Sequence, residues 1–204
     1  YNFSFSTSTS YTQRYMGENM PNGYFKKLLF PMRYSIVTTH AIRQAERDVA
    51  PRWAQSFWFT YTHQPFDEAL DGYLWALESY LYFPGLAKNH SFLASFNYQS
   101  ATGIRQLETE IGTVFGYNNI DARSPLSNTL LLNYRFPLAF PDAEIGPLAY
   151  IRNVRATLFC HYENIVKETN LGQPKTFGFE LRSNMNVLRY DPIVELGGRM
   201  IFVN

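Results

Sequence analysis

A single cysteine, Cys160, stands among 204 residues, so no disulfide can close within the chain and no cysteine-rich metal site can be built. Histidine is nearly as scarce. His40, His63, His90 and His161 are the only four. With no HExxH, no paired-histidine ligand spacing and no CxxC, neither a metal nor a cofactor is expected. Charged side chains make up 17% of the chain and the formal net charge is +1, against roughly 25% charged residues in ordinary soluble domains. No basic stripe, glycine-rich phosphate loop or nucleotide motif occurs, so no nucleic-acid partner is expected. No apolar run approaches the ~20 residues that a membrane helix requires. If this chain crosses a bilayer, it crosses with strands. It begins at Tyr1 without an initiator methionine, a basic segment or an apolar signal core, and reads as a mature chain or as the C-terminal part of a longer polypeptide.

What is plentiful is aromatic: 17% of residues are Phe, Trp or Tyr. Mean hydropathy is nevertheless −0.26. Alternating strands, greasy on one face and polar on the other, give that mixture naturally. Residues 1–13 set Phe3, Phe5, Thr7, Thr9 and Tyr11 against Asn2, Ser4, Ser6, Ser8 and Ser10. Residues 53–63 set Phe57, Phe59 and Tyr61 against Ser56, Thr60 and Thr62, with Trp58 out of pattern. Further strands are expected over 32–44, 72–83, 89–100, 107–117, 128–140, 154–164, 176–188 and 192–204. These stretches are long enough to cross a bilayer at a tilt, where ~9–11 residues suffice, and longer than the ~5–6 of typical soluble strands. Turn signals separate them: Pro21-Asn22-Gly23, Pro84-Gly85, Ser124-Pro125, Pro141-Asp142, Asn170 to Pro174 and Asp191-Pro192. Residues 38–50 carry the one stretch that could coil helically.

The polar registers are the informative ones. Arg155, Glu163, Glu180, Arg182, Glu195 and Arg199 fall on the polar registers of three consecutive strands. Interleaved opposite charges of this kind fit a salt-bridged barrel lumen. The lesser alternative is the solvated face of a soluble sheet, and sequence alone does not say which face is inside. The aromatic sets Trp53, Phe57, Trp58, Phe59, Tyr61 and Tyr73, Trp75, Tyr80, Tyr82, Phe83 are expected to form a lipid-facing surface or interfacial girdle. Arg47-Asp48 beside Pro51-Arg52-Trp53 reads as a solvated turn next to an interfacial tryptophan, or as a loop that contacts a partner.

The closing stretch PIVELGGRMIFVN carries Val194, Leu196, Met200 and Phe202 on one register and Glu195 and Arg199 on the other. It resembles the C-terminal targeting signal of outer-membrane β-barrels, although Val203 and Asn204 follow the aromatic that usually comes last. The segments ERDVAPRW (46–53), YLYFPGLAKNHSF (80–92) and YRFPLAFPDAEIGPLAYIRNVRATLF (134–159) are similar to parts of a Gram-negative barrel family. That family resembles the Omp85-like surface-antigen barrels, some of which carry a TolB-like β-propeller before the barrel. The resemblance spans about residues 30–204 and is one of strand grammar, without a catalytic motif. It implies an outer-membrane location.

The expectation is therefore an all-β antiparallel transmembrane β-barrel, one domain over residues 1–204, with about eight to ten strands. Its last strand is expected to pair with its first, because a bilayer cannot satisfy an open sheet edge. The expected role is a membrane anchor or structural subunit of a larger outer-membrane assembly. Its expected partners are outer-membrane lipid and other outer-membrane or periplasmic proteins. No catalytic residue is assigned. The alternatives are a small transport channel, a barrel enzyme with a rim histidine such as His63 or His90, and a soluble β-sandwich or lipocalin-like carrier.

Overall fold

The structure, a computed structural model, describes residues 1–9, 31–45, 47–65, 72–103, 110–116, 126–165, 174–188 and 193–204. Their strands form one antiparallel sheet: β1 (Asn2–Thr9), β2 (Met32–Ala41), β3 (Ala54–His63), β4 (Tyr73–Pro84), β5 (Ser91–Ala101), β6 (Asn128–Ala139), β7 (Ala143–Ile145), β8 (Ala149–Glu163), β9 (Thr176–Val187) and β10 (Ile193–Val203). Neighbours in space are neighbours in sequence, from β1 through β6 and then β8 to β10. The short β7 folds back on the start of β8. The all-β antiparallel expectation holds. Most strands run to ten or more residues, because alternating aromatic, β-branched and small polar side chains fit a pleated surface with two unlike faces.

Registers define those faces. On the first lie Ser35, Thr60, Ala76, Gln99 and, across the sheet, Asn133, Phe159, Glu180 and Arg199. On the second lie Phe59, Trp75, Tyr98, Leu130, Leu158, Phe179 and Met200. On the outer strands β1 and β10 both registers are largely exposed, but over β3 to β9 the polar face is the more covered one. Ser91, Ser95, Asn97, Gln99, Thr129, His161, Thr176 and Glu180 are buried there. The apolar face is the open one: Leu158, Phe177, Leu181, Leu196, Met200 and Phe202 are each more than two-fifths exposed.

A strap across the polar face does part of the covering. Residues 110–116 form no strand among the described residues. Arg33 on β2 grips Glu110 through paired bonds of 3.0 and 2.8 Å. The Gln99 side-chain oxygen on β5 accepts from the backbone N–H of Glu110 (2.9 Å) and of Ile111 (3.3 Å). Thr129 on β6 donates to the Gly112 carbonyl at 3.2 Å. Phe115 packs against Phe159 and His161 on β8, and the space beside Gly116 is bounded by Ile201 and Val203 on β10. Laid flat, the seven strand spacings from β2 to β10 would cover about 34 Å, whereas six residue steps reach about 20 Å. Both flanks meet the strap because the sheet curls toward it and long side chains close the rest. Residues 110–116 thus correct the strand expected over 107–117; the remainder of that stretch lies outside the described residues.

Two other expectations change. Thr38–Ala41 belong to β2, paired with β3, and no helix forms over the described part of 38–50. The expected closure of last strand on first is not found: among the described residues β10 pairs only with β9 and β1 only with β2. The physical reason is parity. Eight antiparallel steps lead from β1 to β10, so the two edges run in the same direction and cannot form an antiparallel seam. The turns at Pro21-Asn22-Gly23, Ser124-Pro125 and Asp191-Pro192, and residues 170–173, lie outside the described residues. The turns that are described use left-handed positions where polar side chains tolerate them, at Asn89 (φ 65°) and Asp142 (φ 41°).

One position tests this packing. A side chain at Gly178 on β9 would run into the Met200 carbonyl of β10 and the ring of Phe159. Gly198, on the opposite face, has open space beside it. Gly178→Val is expected to lower stability by about 1–3 kcal/mol in urea unfolding followed by tryptophan fluorescence. Gly198→Ala is expected to change it far less.

Candidate functional site

The two faces present two candidate surfaces, and the ionic one comes first. Glu195 on β10 accepts from Arg155 of β8 and, at 3.0 Å, from Nη1 of Arg182 of β9. Glu180 accepts from Nε of Arg182 through one oxygen and from Arg199 through the other. The chain of contacts therefore runs Arg155–Glu195–Arg182–Glu180–Arg199. Register explains it. Arg155 and Arg182 stand directly opposite each other, a like-charge pair that would be repulsive alone. Glu195, one pleat along on β10, reaches both. Glu180 is buried, with a side-chain exposure of 10% against 37% and 29% for its two arginines.

Five of the six residues that the sequence puts on one polar surface thus join one network. Glu163 does not. It sits at the other end of β8, paired across β6 with Thr129, where the backbone N–H of Val114 in the strap donates to it. Arg135, which the sequence reading passed over, belongs to this wall. It lies in the row Arg135–Thr157–Glu180–Arg199. Its signal was its place on the register between Tyr134 and Phe136. Phe115 was also missed: its ring lies 3.7 Å from the Arg199 guanidinium carbon, close enough for a strong cation–π contact.

Aromatic residues on the open face gather toward both strand ends. At one end, Tyr34 stacks on Tyr61, Tyr61 on Tyr73, and Trp75 leans on Tyr98. At the other, Trp53 meets Phe83 edge-on, Phe83 contacts Phe92, and His90 joins Tyr134 and Phe136. Tyr73 and Phe83 are ten residue steps apart on β4, about 33 Å along the strand. At a tilt near 40° that is about 25 Å in height, the height of the apolar band of a membrane barrel. Trp58, Tyr80 and Tyr82 correct the girdle expectation: register places them on the polar face, with Glu78, whose carboxylate accepts from Tyr80 at 2.8 Å.

The rim histidines are occupied by neighbours. His90 Nδ1 lies 2.8 Å from the Tyr134 hydroxyl, and Ser91 donates instead to the Pro51 carbonyl. His63 stacks with Tyr34, and His40 with Tyr1. His161 is buried beside Phe115 and Phe159, with Nε2 3.3 Å from Asn133 Oδ1. The charged turn is organised by Asp48, which accepts from the Ala45 N–H and pairs with Arg52. Among the described residues, no group of three or more His, Cys, Asp or Glu is placed to hold a metal ion. Comparison with family models, with curated proteins and with solved structures finds no match.

Glu180 is the keystone of the ionic wall. Glu180→Gln removes the shared carboxylate between Arg182 and Arg199 and is expected to cost about 1–3 kcal/mol, a buried-pair loss reduced because both arginines are partly exposed. Arg182→Met in the same background should cost less than it does alone, as a double-mutant cycle in urea would measure.

Proposed function

We propose that this chain forms the wall of a transmembrane β-barrel in a Gram-negative outer membrane, where it serves as a membrane anchor or structural subunit of a larger assembly. One observation carries the reading: burial is inverted, with many neutral polar side chains and Glu180 covered and large apolar ones exposed. Phe177, Phe179, Leu181, Leu196, Met200 and Phe202 alone leave on the order of 500 Å² of apolar surface open, comparable to the largest single patch on a typical soluble monomer. Hydrocarbon covers such a surface without any protein partner. Val194, Leu196, Met200 and Phe202 share one register of the last strand, as the resemblance to a C-terminal barrel signal implies. The two aromatic bands, about 25 Å apart, match the headgroup levels on either side of an apolar belt.

Lipid also sets a condition on the edges. Among the described residues nothing pairs with the outer edges of β1 and β10, and a bilayer core cannot satisfy open backbone groups. Because these strands run parallel, an all-antiparallel closure takes an odd number of additional strands. Those strands come from outer-membrane or periplasmic protein, in the same polypeptide or a partner, and would show the same apolar-out, polar-in alternation.

Gel migration tests the reading. The purified chain is expected to need detergent or lipid to stay dispersed, and to migrate differently before and after boiling. Leu181→Arg, near the middle of β9, is expected to cost about 2–4 kcal/mol of folding in lipid and to deplete the fast-migrating form. A chain that stays monodisperse in buffer without detergent contradicts the proposal.

A further inference from the structure

The arginine wall carries more positive charge than its carboxylates balance. Arg135, Arg155, Arg182 and Arg199 line one cavity of about 150 Å³ on the polar face, together with Phe115, Asn133, Thr157, Phe159 and Glu180. Among the described residues, four guanidinium groups face two carboxylates, Glu180 and Glu195, which leaves two positive charges. Both Glu180 oxygens are engaged, one by Arg182 and one by Arg199. Glu195 is shared between Arg155 and Arg182. Arg135 makes no hydrogen bond or ion pair among the described residues.

Concentrated, uncompensated charge in a partly enclosed space is unfavourable, and a bound counter-charge relieves it. The geometry favours one kind of ligand. Each guanidinium has five donors in a planar fork, and the ion pairs to Glu180 and Glu195 use only some of them. The Phe115 ring lies over Arg199, a contact that leaves in-plane donors available. At about 150 Å³ the cavity has room for one tetrahedral oxyanion and residual water. Directly beside it, Gly197 adds no side chain to the floor between Arg182 and Arg199.

We propose that this cavity binds a small multivalent oxyanion of the phosphate class, held chiefly by Arg135 and Arg155 and completed by Arg182 and Arg199. It opens on the face away from the exposed apolar register, so its ligand is a free ion or a soluble phosphomonoester rather than a lipid headgroup. The inference rests on the ionic wall alone and is independent of what covers the other face. Its test and the test of the membrane reading therefore fail separately.

Inorganic phosphate is the probe. Titration calorimetry of the intact chain, with chloride substituted at constant ionic strength, is expected to show saturable one-to-one phosphate binding. Arg135→Gln is expected to weaken it roughly tenfold or more, while Arg47→Gln, whose guanidinium lies over Phe140 instead, leaves it unchanged. Phosphate that binds no better than chloride, or an Arg135→Gln chain that binds as well as the parent, overturns the proposal. Should Arg135→Gln fail to fold, phenylglyoxal labelling of the unaltered chain decides. Phosphate is expected to protect Arg135 and Arg155 and not Arg47, and equal labelling with and without phosphate overturns the site.

Discussion

A strand's side chains alternate between two faces, and in this sheet the alternation gathers polar and ionic groups on one face, Glu180 buried among them, and exposes greasy ones on the other. The rest of the structure depends on that inversion. Once arginine and glutamate share a covered face, each needs an opposite charge within reach, and the cross-strand registers of β8, β9 and β10 supply it. Glu195 separates two facing arginines, Arg155 and Arg182. Glu180 joins Arg182 to Arg199. The far half of the same face meets its needs with neutral groups: Ser95 donates to Asn97, and Asn97 donates to Thr129.

The strap is the second consequence. A polar concave face offers donors and acceptors to any backbone that crosses it, and residues 110–116 take them from Gln99 and Thr129 instead of from a neighbouring strand. The strap also ties the two flanks together, through Arg33 on β2 and through Phe115 against Arg199 on β10. Sheet curvature and inner-face burial are thus linked by one short segment. Deleting its contacts would expose the buried Asn97, Thr129 and His161 together.

Much of this architecture is legible in the sequence, because period-two alternation survives wherever lipid-like and water-like faces are kept apart. β1, β3, β5, β8, β9 and β10 fall where the alternation puts them, and the charged residues of β8 to β10 fall on one face as read. The strap was not legible. Leu107, Thr109, Ile111, Thr113, Phe115 and Tyr117 alternate as well as any strand, but Gly112 and Gly116 interrupt the run, and Gly116 takes a φ of 92° that ends extended pairing. The strap also bears on closure, since one more strand between β5 and β6 would have given ten strands along the path and antiparallel edges. Trp58 and Tyr80 were misplaced for a different reason: β3 and β4 each carry aromatics on both faces, so composition could not say which face each ring takes. Arg135 is hidden by its neighbours, since the aromatic and leucine register around it dominates the reading of β6.

The inversion is most directly measured by nitroxide labels placed along β9, between residue 177 and residue 186, in reconstituted lipid vesicles. Labels at 177, 179 and 181 are expected to be relaxed by oxygen dissolved in the bilayer and shielded from a water-soluble nickel chelate. Labels at 184 and 186, on the same register as Glu180 but clear of it and of the crowded Gly178, should show the reverse. Equal access of the chelate to both registers, or its preferential access to 177, 179 and 181, would contradict the account.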